Sequence, residues 1–162
     1  MDELFRQIEA GQAIPEEIQG QLRDRQGRTL LHVAYRPADI ARLLAAGLDA
    51  NARDDRGRTP LMRFQHKAEC NRLLLQAGAD LHAKCQEGGS VLAHQAGAYS
   101  GGIGYCGPDY DGLQVLLEAG ARPPGAAEGQ SWCQAAHHQV CSGGEAMDAR
   151  RFERWVTQLT GS

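Results

Sequence analysis

Lysine is almost absent from this 162-residue chain. Only Lys67 and Lys84 occur, against fifteen arginines that supply the rest of its positive charge. Aromatic residues make up 6% of the sequence, which with the rest of the composition is a globular balance rather than a disordered or membrane one. Uninterrupted aliphatic stretches reach three or four residues, as at Leu73-Leu74-Leu75, whereas a membrane-spanning helix needs about 20. The first residues, Met1-Asp2-Glu3-Leu4-Phe5-Arg6, are acidic and lack the apolar stretch of a secretory leader. The five cysteines, at 70, 85, 106, 133 and 141, form no Cys-x-x-Cys pair and are odd in number. They read as reduced thiols, and a cytoplasmic location is expected. Gly-Lys-[Ser/Thr] does not occur, which removes the usual phosphate loop.

What is present is hydrophobic content of 42% and charged content of 23%, the balance of a globular domain. The net charge of −3 conceals a strong asymmetry. Residues 1–22 carry −4, residues 23–72 carry +5, residues 73–147 carry −5 and residues 148–162 carry +1. Such segregation bears on partners rather than on fold. Acidic flanks around the basic stretch argue against nucleic acid, whose phosphates call for a continuous basic field.

The strongest signal is internal repetition. A Gly-x-[Thr/Ser]-apolar phrase occurs at Gly27-Arg28-Thr29-Leu30, Gly57-Arg58-Thr59-Pro60, Gly88-Gly89-Ser90-Val91 and Gly129-Gln130-Ser131-Trp132. It alternates with a second phrase, at Leu43-Leu44-Ala45-Ala46-Gly47, Leu74-Leu75-Gln76-Ala77-Gly78 and Leu116-Leu117-Glu118-Ala119-Gly120. The hydroxyl residues Thr29, Thr59, Ser90 and Ser131 are placed as helix N-caps, and Pro60 suits a first helical position. Gly47, Gly78 and Gly120 suit left-handed C-caps. Each unit is therefore expected to be two short helices that are stable only when stacked on their neighbours. Asp2 is expected to cap a first helix whose Leu4, Phe5 and Ile8 face inward. Phe152, Trp155, Val156 and Leu159 form an apolar stripe on a last one.

On Asp54-Asp55-Arg56-Gly57-Arg58-Thr59-Pro60-Leu61, Leu73-Leu74-Leu75-Gln76-Ala77-Gly78-Ala79-Asp80 and Leu31-His32-Val33-Ala34, the chain resembles the ankyrin repeat, in its small stand-alone bacterial form. The resemblance covers residues 24–122 well and 129–159 loosely. It implies an all-α solenoid of stacked helix–turn–helix units joined by hairpin-like connections. The expected division is an N-terminal cap at 1–23, units at 24–53, 54–84 and 85–124, and a divergent capping unit at 125–162. The chain departs from the family in three places. Met62 and Ala93 stand where the family has histidine, Cys85 stands where Asp24 and Asp54 open the other units, and the third unit carries an insertion at 97–112.

Cys133, His137, His138 and Cys141 have zinc or thiol chemistry. However, Cys133 holds the register of core leucines, and the set is spread too far along one helix to close on a single ion. No catalytic constellation emerges, so neither an enzyme nor a cofactor is expected. The insertion holds six glycines and three of the four tyrosines, Tyr99, Tyr105 and Tyr110. That composition suits a recognition loop. The basic segment adds Arg25, Arg28, Tyr35, Arg36, Arg56, Arg58, Arg63 and Phe64, arginine and aromatic side chains expected on or beside one concave surface. The family's habits imply a protein-binding module, monomeric when free, whose partner carries an acidic patch. The expected role is an immunity protein neutralising a cognate toxin, with an effector or adaptor role as the alternative.

Overall fold

The computed structural model describes residues 2–17, 22–63, 67–95 and 110–121. Those residues form helices and turns with two isolated β-bridges and no strand. The helices are α1 (Asp2–Glu9), α2 (Leu30–Val33), α3 (Pro37–Ala45), α4 (Ala68–Gln76), α5 (Val91–Gln95) and α6 (Tyr110–Glu118), with a 3-10 turn at Pro60–Met62. None of them is long and apolar enough to cross a membrane.

Two rows of helices face each other. One row runs α1, α2, the 3-10 turn and α5, and the other runs α3, α4 and α6, with each member touching the next. Cross-contacts join α2 to α3, the 3-10 turn to α4, and α5 to α6. Among the described residues one hydrophobic cluster extends from Phe5 and Ile8 through Leu31, Leu43, Leu61 and Leu74 to Leu92, Leu113 and Leu116. In the first row, the inner one, α2, the 3-10 turn and α5 are three to five residues long, too short to persist alone, so burial against neighbours holds them. In α1, Phe5 and Ile8 are buried and Leu4 is half-buried against the same cluster. Asp2 is the first helical residue there rather than a cap.

All three longer helices of the second row end alike. Gly47, Gly78 and Gly120 have φ of 86°, 87° and 102°. Each glycine amide donates three residues back, to Leu44, Leu75 and Leu117. The next amide reaches five residues back, to Leu43, Leu74 and Leu116 at 2.9–3.1 Å. This is the Schellman closure that the Ala-Gly phrase predicts.

The predicted N-caps fare differently from one another. Ser90 Oγ accepts from the Ala93 amide at 3.2 Å. Thr29 is the N-cap of α2 in a capping box with His32, whose ring its hydroxyl also meets, whereas Thr59 holds the N-cap position of the 3-10 turn with its hydroxyl buried and without a hydrogen-bond partner among the described residues. Met62 explains that orphan, because a thioether sulfur is only a weak acceptor where unit one offers the hydroxyl an imidazole nitrogen. Ser131, the zinc or thiol candidates Cys133, His137, His138 and Cys141, and the stripe from Phe152 to Leu159 lie outside the described residues.

Candidate functional site: a hairpin edge

Three turns lead into the inner row, and each is closed by the same two main-chain bonds. Asp24 N–H donates to Arg28 O and Gly27 N–H to Asp24 O, both at 3.1 Å. Asp54, Arg58 and Gly57 repeat this at 3.0 and 2.9 Å, and Cys85, Gly89 and Gly88 repeat it at 3.0 Å. The first and third turns also carry β-bridges, Arg23 to Thr29 and Lys84 to Ser90, one residue ahead of the expected unit boundaries. The tips are bonded to one another as well. Asp55 N–H donates to Gln26 O at 2.9 Å, and Gln86 N–H to Arg56 O at 3.0 Å. A positive φ favours glycine at all three tips, 69°, 71° and 81° at Gly27, Gly57 and Gly88. At the first two the next tip also comes close, and a Cβ on Gly27 would stand 3.2 Å from the Asp55 amide nitrogen.

Carboxylates brace the first two turns. Asp24 Oδ1 accepts from the amides of Gln26 and Arg28, both at 2.9 Å, and Oδ2 accepts from Arg28 Nε at 2.7 Å. Asp54 does the same for Arg56 and Arg58, at 2.9, 2.8 and 2.7 Å. Burial alone would raise both carboxyls, but the bonds from Arg28 and Arg58 outweigh it and hold them below the usual range. Cys85 offers only its sulfur, which accepts from the Gly89 amide at 3.3 Å. The third turn therefore keeps its main-chain closure and loses most of its side-chain bracing.

The arginines expected on one surface divide into two groups. Arg28 is spent on Asp24 and on Glu9 of α1, and Arg58 on Asp54. Arg63 donates through Nη1 to the carbonyls of His32 (3.1 Å) and Val33 (2.7 Å), and its guanidinium lies 5.8 Å from the centre of the Tyr35 ring. Tyr35 is half-buried, with its hydroxyl beside Gly11 in the turn after α1. These four side chains hold the fold together. Arg25, Arg36 and Arg56 are exposed instead. Arg25 pairs with Asp2 at 2.6 Å, while Arg36 and Arg56 make no side-chain hydrogen bond or ion pair among the described residues. Tyr110 begins α6. Phe64, Tyr99 and Tyr105 lie outside the described residues.

Sequence reasoning missed two arginines that join the turns. Arg23 Nη1 donates to Gly27 O in its own turn (2.5 Å) and to Arg53 O in the next (2.9 Å). Arg53 repeats the pattern with Gly57 O (2.9 Å) and Lys84 O (2.7 Å). The signal was available, since arginine precedes Asp24 and Asp54 in register. Asn51 acts similarly at the opposite end, accepting from Asp80 N–H at 2.7 Å and donating to Gly78 O at 2.9 Å.

His32 ties the first unit to the second. Its Nδ1 accepts from Thr29 N–H at 3.0 Å, and an amide nitrogen only donates, so the ring proton sits on Nε2. Nε2 then donates to the carbonyl of Arg58 at 2.9 Å. Burial lowers the pKa of His32, in keeping with the neutral ring these bonds require. Burial and the nearby Arg58 charge bring His94 down to about 4. Among the described residues no group of three or more His, Cys, Asp or Glu side chains could hold a metal. Cys70 and Cys85 are free and buried. No protein-family model matches the chain, and no curated protein sequence matches it.

Proposed function

We propose that the chain is a non-enzymatic protein-binding module, a stack of ankyrin-like units whose hairpin edge meets an acidic patch on a partner protein. The main-chain bonding of successive tips carries this reading, because it fixes Arg25 and Arg56 on a common rigid edge before any partner arrives. Side chains presented from a preorganised backbone lose less entropy on association than side chains on a free loop. Exposed arginine is the favoured cation for bidentate contact with carboxylates. The partner class taken from the resemblance is a toxin that the chain neutralises by covering it. An effector or adaptor role would present a regulatory protein instead.

The test is capture of partners from the native lysate by the intact chain beside an Arg25→Glu/Arg36→Glu/Arg56→Glu variant. Arg28, Arg58 and Arg63 stay unaltered because their loss would disturb the turns themselves. One stoichiometric protein, lost by the variant and released by salt, is the expected result. A toxin-like enzyme in that band gives the immunity role. A partner held equally by both forms would remove the arginine edge from the interface.

A further inference from the structure

We infer that Asn71 is a clamp that ties together the two ends of the insertion in the third unit, so that the stack does not depend on the insertion for its fold. Asn71 lies on α4 and is fully buried, and Gln95, at the end of α5, is 2% exposed. Their amides pair reciprocally. Asn71 Nδ2 donates to Gln95 Oε1 at 2.9 Å, and Gln95 Nε2 donates to Asn71 Oδ1 at 2.8 Å. The remaining hydrogens go to main chain, from Asn71 to Gly112 O at 2.9 Å and from Gln95 to Leu61 O at 2.6 Å. Every amide hydrogen of the pair is therefore used, in a place where an unused one would be costly.

The chain positions matter more than the bonds themselves. Gln95 is the last residue of α5, ahead of the insertion, and Gly112 is the insertion's last residue, in the first turn of α6. One side chain, rooted in the preceding unit, thus grips the chain at Gln95 and again at Gly112. The α6 helix is further seated on α4, and α5 on the 3-10 turn, and Leu113 and Leu116 of α6, beyond the insertion, are buried in the common core. The ends are held by the stack, so the connecting sequence is free to vary in length and composition, and loop length itself changes stability only slowly. This inference does not require a partner, and it stands or falls separately from the binding reading.

Three variants test it, read by thermal melting and by amide exchange. Replacing residues 97–109 with about six Gly and Ser residues, which reach about 20 Å when extended, should move Tm by no more than about 3 °C. Gln95→Met should speed exchange about tenfold or more in α5 while α6, still held through Gly112, stays protected. Asn71→Ala should speed exchange by a similar factor, about tenfold, in both α5 and α6 and leave α2 and α3 unchanged. If Asn71→Ala does not fold, the other two variants decide the matter. A shortened chain that melts more than about 10 °C early would overturn the inference. Gln95→Met exchange that rises equally in every helix, or in none, would overturn it too.

Discussion

The first two units share a turn and differ in what lies beneath it. Asp24 and Asp54 brace their hairpins with the same three bonds at nearly the same lengths. Beneath the first, His32 Nδ1 accepts from the Thr29 amide, and its Nε2–H donates to the carbonyl of Arg58 in the next unit. Beneath the second, Met62 holds the same register and is buried, and the Thr59 hydroxyl is left buried with no partner among the described residues. The hairpin is thus a local device that each unit closes by itself, whereas the histidine is a link between units. Losing the first damages one turn, and losing the second loosens a junction.

The largest effect is expected where both units agree. Asp54→Ala removes the acceptor for two amides and one guanidinium from a side chain that is 1% exposed. Charge-assisted bonds of this kind make the expected loss about 2–3 kcal/mol in a denaturant titration. A loss below about 0.5 kcal/mol would mean that the main-chain bonds alone close the turn.

Acid should act on the histidines before it reaches the carboxylates. His32 and His94 are buried neutral, below their ordinary value of 6.5, so the unfolded chain binds protons that the folded chain refuses. Their contribution is intact above pH 6.5 and is lost as the pH falls toward about 4, the value for His94. At pH 5, His94 by itself should cost about 2 kcal/mol relative to pH 7. Asp24 and Asp54 sit below their ordinary 3.8, so their contribution survives this window and fails only beneath it. Flat stability between pH 7 and pH 5 would show that the two rings take up protons without disturbing the fold.

Exchanging the two inner residues sharpens the comparison directly. His32→Met should cost about 1–2 kcal/mol, since it strands the Thr29 amide and the Arg58 carbonyl, and it should flatten the acid dependence. Met62→His should gain about 1 kcal/mol by giving the Thr59 hydroxyl a nitrogen and the Gly89 carbonyl a donor. Gly89 holds the place of Arg58 in the third turn. Equal losses from both substitutions would mean that side-chain volume, rather than hydrogen bonding, decides this position.

Much of this was legible in the sequence because it is local and in register. The closing glycines, the Asp-x-x-Gly turns and the apolar positions of α1, α3 and α4 each follow from a few neighbouring residues. Long-range bonds left no comparable trace. Nothing in the spacing pairs Asn71 with Gln95, or shows that Glu9 takes up Arg28. The candidate surface suffered for the same reason. Arginine at a hairpin tip reads alike whether it faces solvent, as Arg56 does, or folds back on an aspartate, as Arg58 does.

The smallest expected change lies in the third turn, where the pattern of the first two is broken. Cys85→Asp places a carboxylate where Asp24 and Asp54 brace their tips, and the amides of Glu87 and Gly89 hold the positions that those residues serve. No arginine follows, because Gly89 stands where Arg28 and Arg58 supply the guanidinium. The new side chain would therefore gain two bonds to main chain and lack the charge that offsets burial. Cys85 itself is 8% exposed, so that burial is substantial. Two amide bonds favour the aspartate and desolvation opposes it, leaving a net gain of about 0.5 kcal/mol. Adding Gly89→Arg to Cys85→Asp should raise the gain to about 1–2 kcal/mol, more than the two single changes sum to. If the double variant gains no more than that sum, the arginine is dispensable, and the first two turns owe their bracing to the carboxylate and the backbone amides.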